Sequence, residues 1–434
     1  MFSKEFLFHL ANKYKTPLYV YDFNAIKNTF LTFKNAFWGS KTLICYALKA
    51  NSNLALLNYL SRVGIGGDCV SINEVKRALD SNIPKYKIIY SGVGKSDEEI
   101  LEALKLDILF INLESFEEML RVERISQTLN KIARISIRVN PNIDSKTHPY
   151  ISTGLIENKF GVDLDEAKRM YIYSKNSKYL NPIGIHFHIG SQLLELEPII
   201  ESLKIIKDLA LSLKALKIDL RFFDIGGGIG IQYGDENIIN INSYASEVIK
   251  HTKNLDLTII CEPGRSIVGP HGYLLSRVLG EKQNKYKRFV IIDAAMNDLL
   301  RPSLYGASHR VEHFPFLDSN NRFKYENSKL DSIHNLDSNK VLNLDSNEGF
   351  KADLVGPICE SADVMAKNIS IPKTKNGDLI LIHDVGAYGF SMSSNYNSRG
   401  RAACVGIIDG VDKLICKREE YSDLISKEVN LESS

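Results

Sequence analysis

No stretch of this chain stays apolar long enough to cross a bilayer, which takes about 20 residues in a helix. The N-terminal segment, MFSKEFLFHLANKYKTPLYVYD, is broken by Lys4, Glu5 and His9, so it lacks the uninterrupted apolar core of a secretory signal. An excess of charge is missing too. The 54 Lys and Arg against 52 Asp and Glu leave a net +2, which argues against a nucleic-acid or polyanion binder and makes a small molecule the expected ligand. Cys45, Cys69, Cys261, Cys359, Cys404 and Cys416 form no CxxC pair and no regular spacing, which argues against both a disulfide framework and a zinc site. A reducing, cytoplasmic location without membrane association is the expectation.

What is present is a chain of 434 residues, 44% hydrophobic, long enough for more than one domain. Phe2, Phe6, Leu7 and Leu10 lie on one side of an N-terminal helix that leads into a strand at 18–21. From residue 42 onward, short β-rich runs alternate with helical stretches, at 42–48, 64–70, 87–91, 107–113, 133–139, 183–189, 221–225 and 257–262. Three of the helices open with the residues of a capping box: Ser96 with Glu99, Ser115 with Glu118, and Asp163 with Glu166. Eight such units fit a (β/α)8 barrel, with a doubly wound sheet as the competitor. Lys49, Asp68, Ser91, Asn140, His188, Gly226 to Gly228 and Glu262 all fall at or just past strand C-terminal ends, and only a barrel brings every such end to one mouth.

After Glu262 the helical pattern fades into strand-like runs at 289–293, 379–382, 403–408 and 413–417. The expected fold is therefore a TIM barrel over 24–270 and an all-β domain built from 1–23 and 271–434, with the N-terminal strand pairing into it. Residues 317–350 carry LDSN three times in a segment rich in Asn, Ser and Asp, which predicts a flexible surface insertion.

Five motifs can carry chemistry, and each has a plainer explanation. Lys49 in YALKANSN stands where an apolar run gives out. Desolvation there would lower its pKa and leave an amine able to form a Schiff base, though an exposed lysine closing a strand is ordinary. GIHFHIGSQ sends His186 and His188 to one face and sets Ser191 beside His188, so that an imidazole and a hydroxyl converge, though a lone histidine is more often a satisfied structural group. A metal is a weak reading because no acidic or cysteine ligand adjoins them in sequence. DIGGGIG can cradle a phosphate or simply turn the chain. CEPGRS joins Glu262 to Arg265, which could equally be a surface ion pair, and Cys359 in GPICES could be a small buried apolar residue.

Together, YALKAN, HFHIGSQ, DIGGGIG, CEPGR, RPSLYG, GPICES and DVGAYG resemble, in that order, the motifs of the diaminopimelate decarboxylases, pyridoxal-phosphate enzymes with an alanine-racemase-like barrel. The resemblance implies decarboxylation of meso-2,6-diaminopimelate to L-lysine through an external aldimine and a quinonoid carbanion, with pyridoxal 5'-phosphate as the cofactor and no metal. By position, Lys49 matches the lysine bonded to the cofactor, His188 the imidazole on its ring, and Glu262 the carboxylate facing its ring nitrogen. Ser191, Gly227, Gly228, Pro263, Gly264 and Arg265 match the phosphate-binding turns. Arg265, Arg301, Tyr305, Glu360 and Tyr388 match groups that hold the substrate's far end or the cofactor, and Cys359 matches the acid that returns a proton to the α-carbon. The resemblance further implies a homodimer whose sites are shared across the interface. A decarboxylase for ornithine or arginine, and a non-catalytic regulator, are the competing readings.

Overall fold

Strand alternation builds the barrel from inside. Along β2 (Thr42–Ala47), β3 (Gly66–Cys69), β4 (Ile88–Tyr90), β5 (Phe110–Leu113), β6 (Ala133–Arg138), β7 (Leu180–His186), β8 (Phe222–Asp224) and β9 (Thr258–Cys261), all pairings are parallel and the sheet closes from β9 to β2. These are the eight expected runs, seven of them trimmed by one to three residues and β7 shifted three residues toward the N-terminus. β1 (Leu18–Asp22) precedes them. In this computed structural model, residues 2–144, 158–316 and 351–431 are described. The expected insertion at 317–350 lies outside them.

Ile89, Phe110 and Ile260 belong to one buried apolar cluster, with Phe222 packed against it. Two residues on, and so facing the same way, stand Ser91, Asn112, Glu262 and Asp224, all buried. Asp68, Arg138 and His186 occupy the equivalent places on β3, β6 and β7 and are also buried. An apolar plug thus supports a polar layer at the C-terminal mouth, where barrel enzymes work.

Only one of the three capping boxes is reciprocal. Ser96 and Glu99 cap each other, whereas Ser115 and Asp163 accept from the N–H groups of Glu118 and Glu166 without an answering side chain. Glu118 is drawn instead into a buried pair with Lys95 (2.7 Å), and Glu166 pairs with Arg169. A cation within reach outcompetes the helix's own N-cap amide for the glutamate.

The second domain is a sheet that includes β10 (Gly272–Gln283), β11 (Arg288–Ile292), β12 (Val311–Phe314), β13 (Lys351–Val355), β14 (Val364–Ser370), β15 (Leu379–Ile382), β16 (Ala403–Ile408) and β17 (Val411–Cys416). β1 lies inside it, antiparallel to β10 and parallel to β16. The helix Lys4–Tyr14 lays Leu7, Leu10 and Ala11 on this sheet, against Leu18, Val20 and Val405. The sequence reading found β11, β15, β16 and β17 but missed β10, β12, β13 and β14. β10 runs out into Gly280, Glu281 and Lys282, and β14 alternates weakly because much of it is exposed.

Candidate active site

Lys49 sits in a single 3-10 turn directly after β2, so the strand end aims it across the barrel mouth. Its Nζ lies 3.8 Å from Asp68 Oδ2. Asp68 Oδ1 accepts from Ser91 Oγ (3.0 Å), and Ser91 in turn accepts from Asn112 Nδ2 (3.0 Å), a chain running over three neighbouring strands. The expected fall in the Lys49 pKa is corrected here. Burial does act to lower it, but Asp68, Tyr388 and Glu262 outweigh that and raise it above the ordinary lysine value. Burial, with the nearby Glu262 charge, pushes Asp68 up to about 7.

Glu262, one residue beyond β9, places Oε2 3.7 Å from His186 Nε2, and its side chain also bonds to the Asp224 carboxyl. His186, Asp224 and Glu262 bring ligand atoms within 4.8 Å of one another, a grouping hidden by their separation in sequence. Burial and the Glu262 charge drive the Asp224 carboxyl well above its usual range. Burial would raise Glu262 as well, but His186 and Lys49 hold it down to about 2. The pair divides into one acid and one carboxylate.

The glycine run packs too tightly for any side chain. A Cβ on Gly227 would stand 2.1 Å from the Glu262 carbonyl oxygen, and one on Gly228, whose φ is +108°, would stand 2.3 Å from that of Gly190. The Gly227 N–H donates to His188 Nδ1 (3.2 Å), and burial holds His188 well below the usual histidine pKa, so its ring is neutral. Arg138, paired with Glu114 at 2.8 Å, donates to the His188 carbonyl and fixes that turn. Asn140 instead donates to the Phe160 carbonyl, away from this layer.

CEPGRS is not a surface ion pair. Arg265 is buried, donating to Tyr233 Oη (2.8 Å) and Ser191 Oγ (3.0 Å), with Tyr388 against its guanidinium at 4.9 Å. Pro263 O accepts from Ala47 N–H, and Gly264 packs against Ala47 and Ala50, joining this turn to the Lys49 loop. The Tyr388 N–H donates to the Ala50 carbonyl, which docks the DVGAYG loop on the same element. Arg265, Arg301 and Tyr305 line a cavity of about 260 Å³ with Gln192, Leu194 and Tyr233. Cys359 and Glu360 are not in this group. They occupy an exposed turn after β13, where the Cys359 N–H donates to Asn397 Oδ1, so Cys359 is not a buried apolar residue. Arg138, Asn112, Asp224, Tyr233 and His309 were not singled out from the sequence. Arg138, Asn112 and Asp224 lie inside the expected strand runs and could have been found by following the inward alternation along each.

A pyridine ring and a phosphate suit what is present. A buried carboxylate held ionised suits a protonated ring nitrogen, and the tight glycine turn after β8, which abuts Gly190 beside Ser191 and Arg265, suits an anion. The barrel, the lysine and this pairing define a pyridoxal-dependent enzyme. Residues 23–269 match the pyridoxal binding domain of the pyridoxal-dependent decarboxylases. The chain is 50% identical over 429 residues to a diaminopimelate decarboxylase of Helicobacter pylori, covering 99% of this chain and 98% of that one. It is likewise 50% identical to one of Campylobacter jejuni, covering 96% and 97%. Among solved structures, the Helicobacter pylori enzyme complexed with L-lysine superposes with a TM-score of 0.87 at 50% identity, over 97% of this chain and 98% of that one. The M. jannaschii enzyme gives 0.86 at 35%, over 98% and 95%. The chain belongs to the diaminopimelate decarboxylase family.

Proposed function

We propose that this chain decarboxylates meso-2,6-diaminopimelate to L-lysine and CO2. The full-length relationship to diaminopimelate decarboxylases carries the reading. Two buried arginines, Arg265 and Arg301, that form no ion pair with a carboxylate among the described residues support it, because a simple diamine precursor brings no second carboxylate for Arg301. When bound, pyridoxal 5'-phosphate supplies an electron sink for the pair released with CO2.

The protein's part is to hold and position. Lys49 would supply the amine that tethers the cofactor. Glu262 would keep a proton on the ring nitrogen, because its low pKa makes it a carboxylate at working pH. His188 offers a neutral ring face. Ser191, Gly227, Gly228, Gly264 and Arg265 surround the phosphate, and the Ser191 hydroxyl hydrogen is free to donate because its oxygen already accepts from Arg265. Arg265, Arg301, Tyr305 and Tyr388 hold the far amino-acid end, and Glu360, on the same exposed turn as Cys359, meets its ammonium from the partner subunit, so that carboxylate and ammonium have partners of both signs.

Cys359 returns a proton to the α-carbon. Its exposed turn lies outside the hydrogen-bonded layer around Lys49, which supports a homodimer in which the partner's Cys359 completes each site. The cysteines of the described residues are all free, and no helix among those residues is long and apolar enough to cross a membrane. Both facts support a cytoplasmic enzyme. The deciding experiment is to incubate the purified, cofactor-loaded protein with meso-diaminopimelate, ornithine or arginine and to measure CO2 and the amine product. Faster release of CO2 from either diamine precursor would overturn the assignment.

A further inference from the structure

The two arginines of the cavity are not an ordinary pair of cations. Both are buried, and Arg265 Nε has no hydrogen-bond partner among the described residues. Bringing like charges together away from water is costly, so something must hold them. Tyr233 and His309 do so from two directions. Tyr233 accepts from Arg265 Nη1 at 2.8 Å through its hydroxyl, and the Arg301 guanidinium lies 4.7 Å from the centre of its ring. Arg301 Nη1 lies 2.9 Å from His309 Nε2, and His309 Nδ1 lies 2.9 Å from the His383 carbonyl oxygen.

Those two contacts fix the histidine. A guanidinium can only donate and a carbonyl can only accept, so Nε2 is the acceptor and Nδ1 carries the hydrogen. The ring is therefore neutral. Burial and the Arg301 charge hold its pKa at about 3, so it stays an acceptor at any working pH. The edge of this imidazole meets the Tyr233 ring at 84°, with centroids 5.3 Å apart, so the two supports also brace each other.

We propose that Tyr233 and His309 are positioning residues that hold Arg265 and Arg301 for the carboxylate at the far end of the substrate, and so set the preference for ligands that carry one. This rests on the assignment of both arginines to that end. The bond that breaks lies at the other end of the substrate, so these residues govern binding of the far carboxylate more than the bond-breaking step.

The test compares two ligands on the cofactor-loaded enzyme by calorimetry and by inhibition: L-lysine, which keeps the far carboxylate, and 1,5-diaminopentane, which lacks it. His309→Phe removes the acceptor and Tyr233→Phe removes only the hydroxyl. Each should weaken L-lysine binding and raise KM by about tenfold, the scale of a lost charged hydrogen bond, with kcat within about threefold and 1,5-diaminopentane unaffected. His309→Gln, which can still accept from Arg301, should recover most of the affinity. Equal weakening of both ligands, or a fall in kcat with L-lysine binding intact, would overturn the proposal. Arg301→Met separates the layers. If it abolishes the preference for L-lysine while the Phe variants do not, only this inference fails; if it leaves the preference unchanged, the arginine assignment beneath it fails.

Discussion

Lys49 Nζ stands 3.8 Å from Asp68 Oδ2, the largest of the three contacts that together outweigh burial and raise the lysine's pKa. An amine must be neutral to attack a carbonyl, so a raised pKa moves the reactive form to higher pH. Asp68, with a pKa of about 7, is ionised across the range where Lys49 titrates and favours its ammonium form. Asp68→Asn removes the largest raising partner. The pH profile for cofactor incorporation into apoprotein should then shift to lower pH, read from the rate at which visible absorbance grows. An unchanged profile would show that Asp68 does not control the lysine.

Glu262→Gln keeps the shape of the side chain but not the charge that retains the ring-nitrogen proton. Activity should fall on the order of 100-fold in kcat, the scale seen when an electrostatic partner of the reacting system is removed. The apoprotein should nonetheless melt at a higher temperature, because Asp224 and Glu262 no longer compete for one proton in a buried site. A drop in melting temperature alongside the lost activity would mean that Glu262 is mainly structural.

The glycine cradle offers a paired steric test. Gly227→Ala places a carbon 2.1 Å from a backbone oxygen, which forces the turn after β8 to move. At roughly 1–3 kcal/mol for overpacking, cofactor affinity should weaken about tenfold or more by fluorescence titration. Gly280→Ala, where nothing lies within 4 Å, should leave affinity unchanged. Equal affinities in the two variants would detach the glycine run from the cofactor.

The barrel was legible because its signal is local. β-branched runs, turns and strand-end polar residues recur with a fixed spacing, and each of the eight runs became a strand. The sheet was half legible. β12 and β13 pair with β15 and β11 through long-range contacts, and nothing in four or five residues announces such partners. The site divides in the same way. Lys49, Glu262 and the glycine run sit in motifs whose chemistry follows from neighbours in sequence. Asp224 meets Glu262, and His309 meets Arg301, only after folding, and their roles depend on charges that sequence spacing does not bring together.

Cys359 poses the remaining question, because Lys49 is in the barrel whereas the cysteine is on an exposed turn of the sheet domain. If each site takes the lysine of one subunit and the cysteine of its partner, Lys49→Ala and Cys359→Ala homodimers should both be nearly inactive, for different chemical reasons. In a mixed dimer, one site receives both lesions and the other receives neither. Random exchange at equal concentrations makes half of the dimers mixed, each with one intact site of two, so roughly a quarter of wild-type activity should return. A site completed within one subunit allows no recovery, because every site then carries one lesion or the other. The measurement is CO2 release after mixing, with native mass spectrometry counting the mixed dimers. Activity that stays at the level of the separate variants, with mixed dimers present, would show that each subunit supplies its own cysteine.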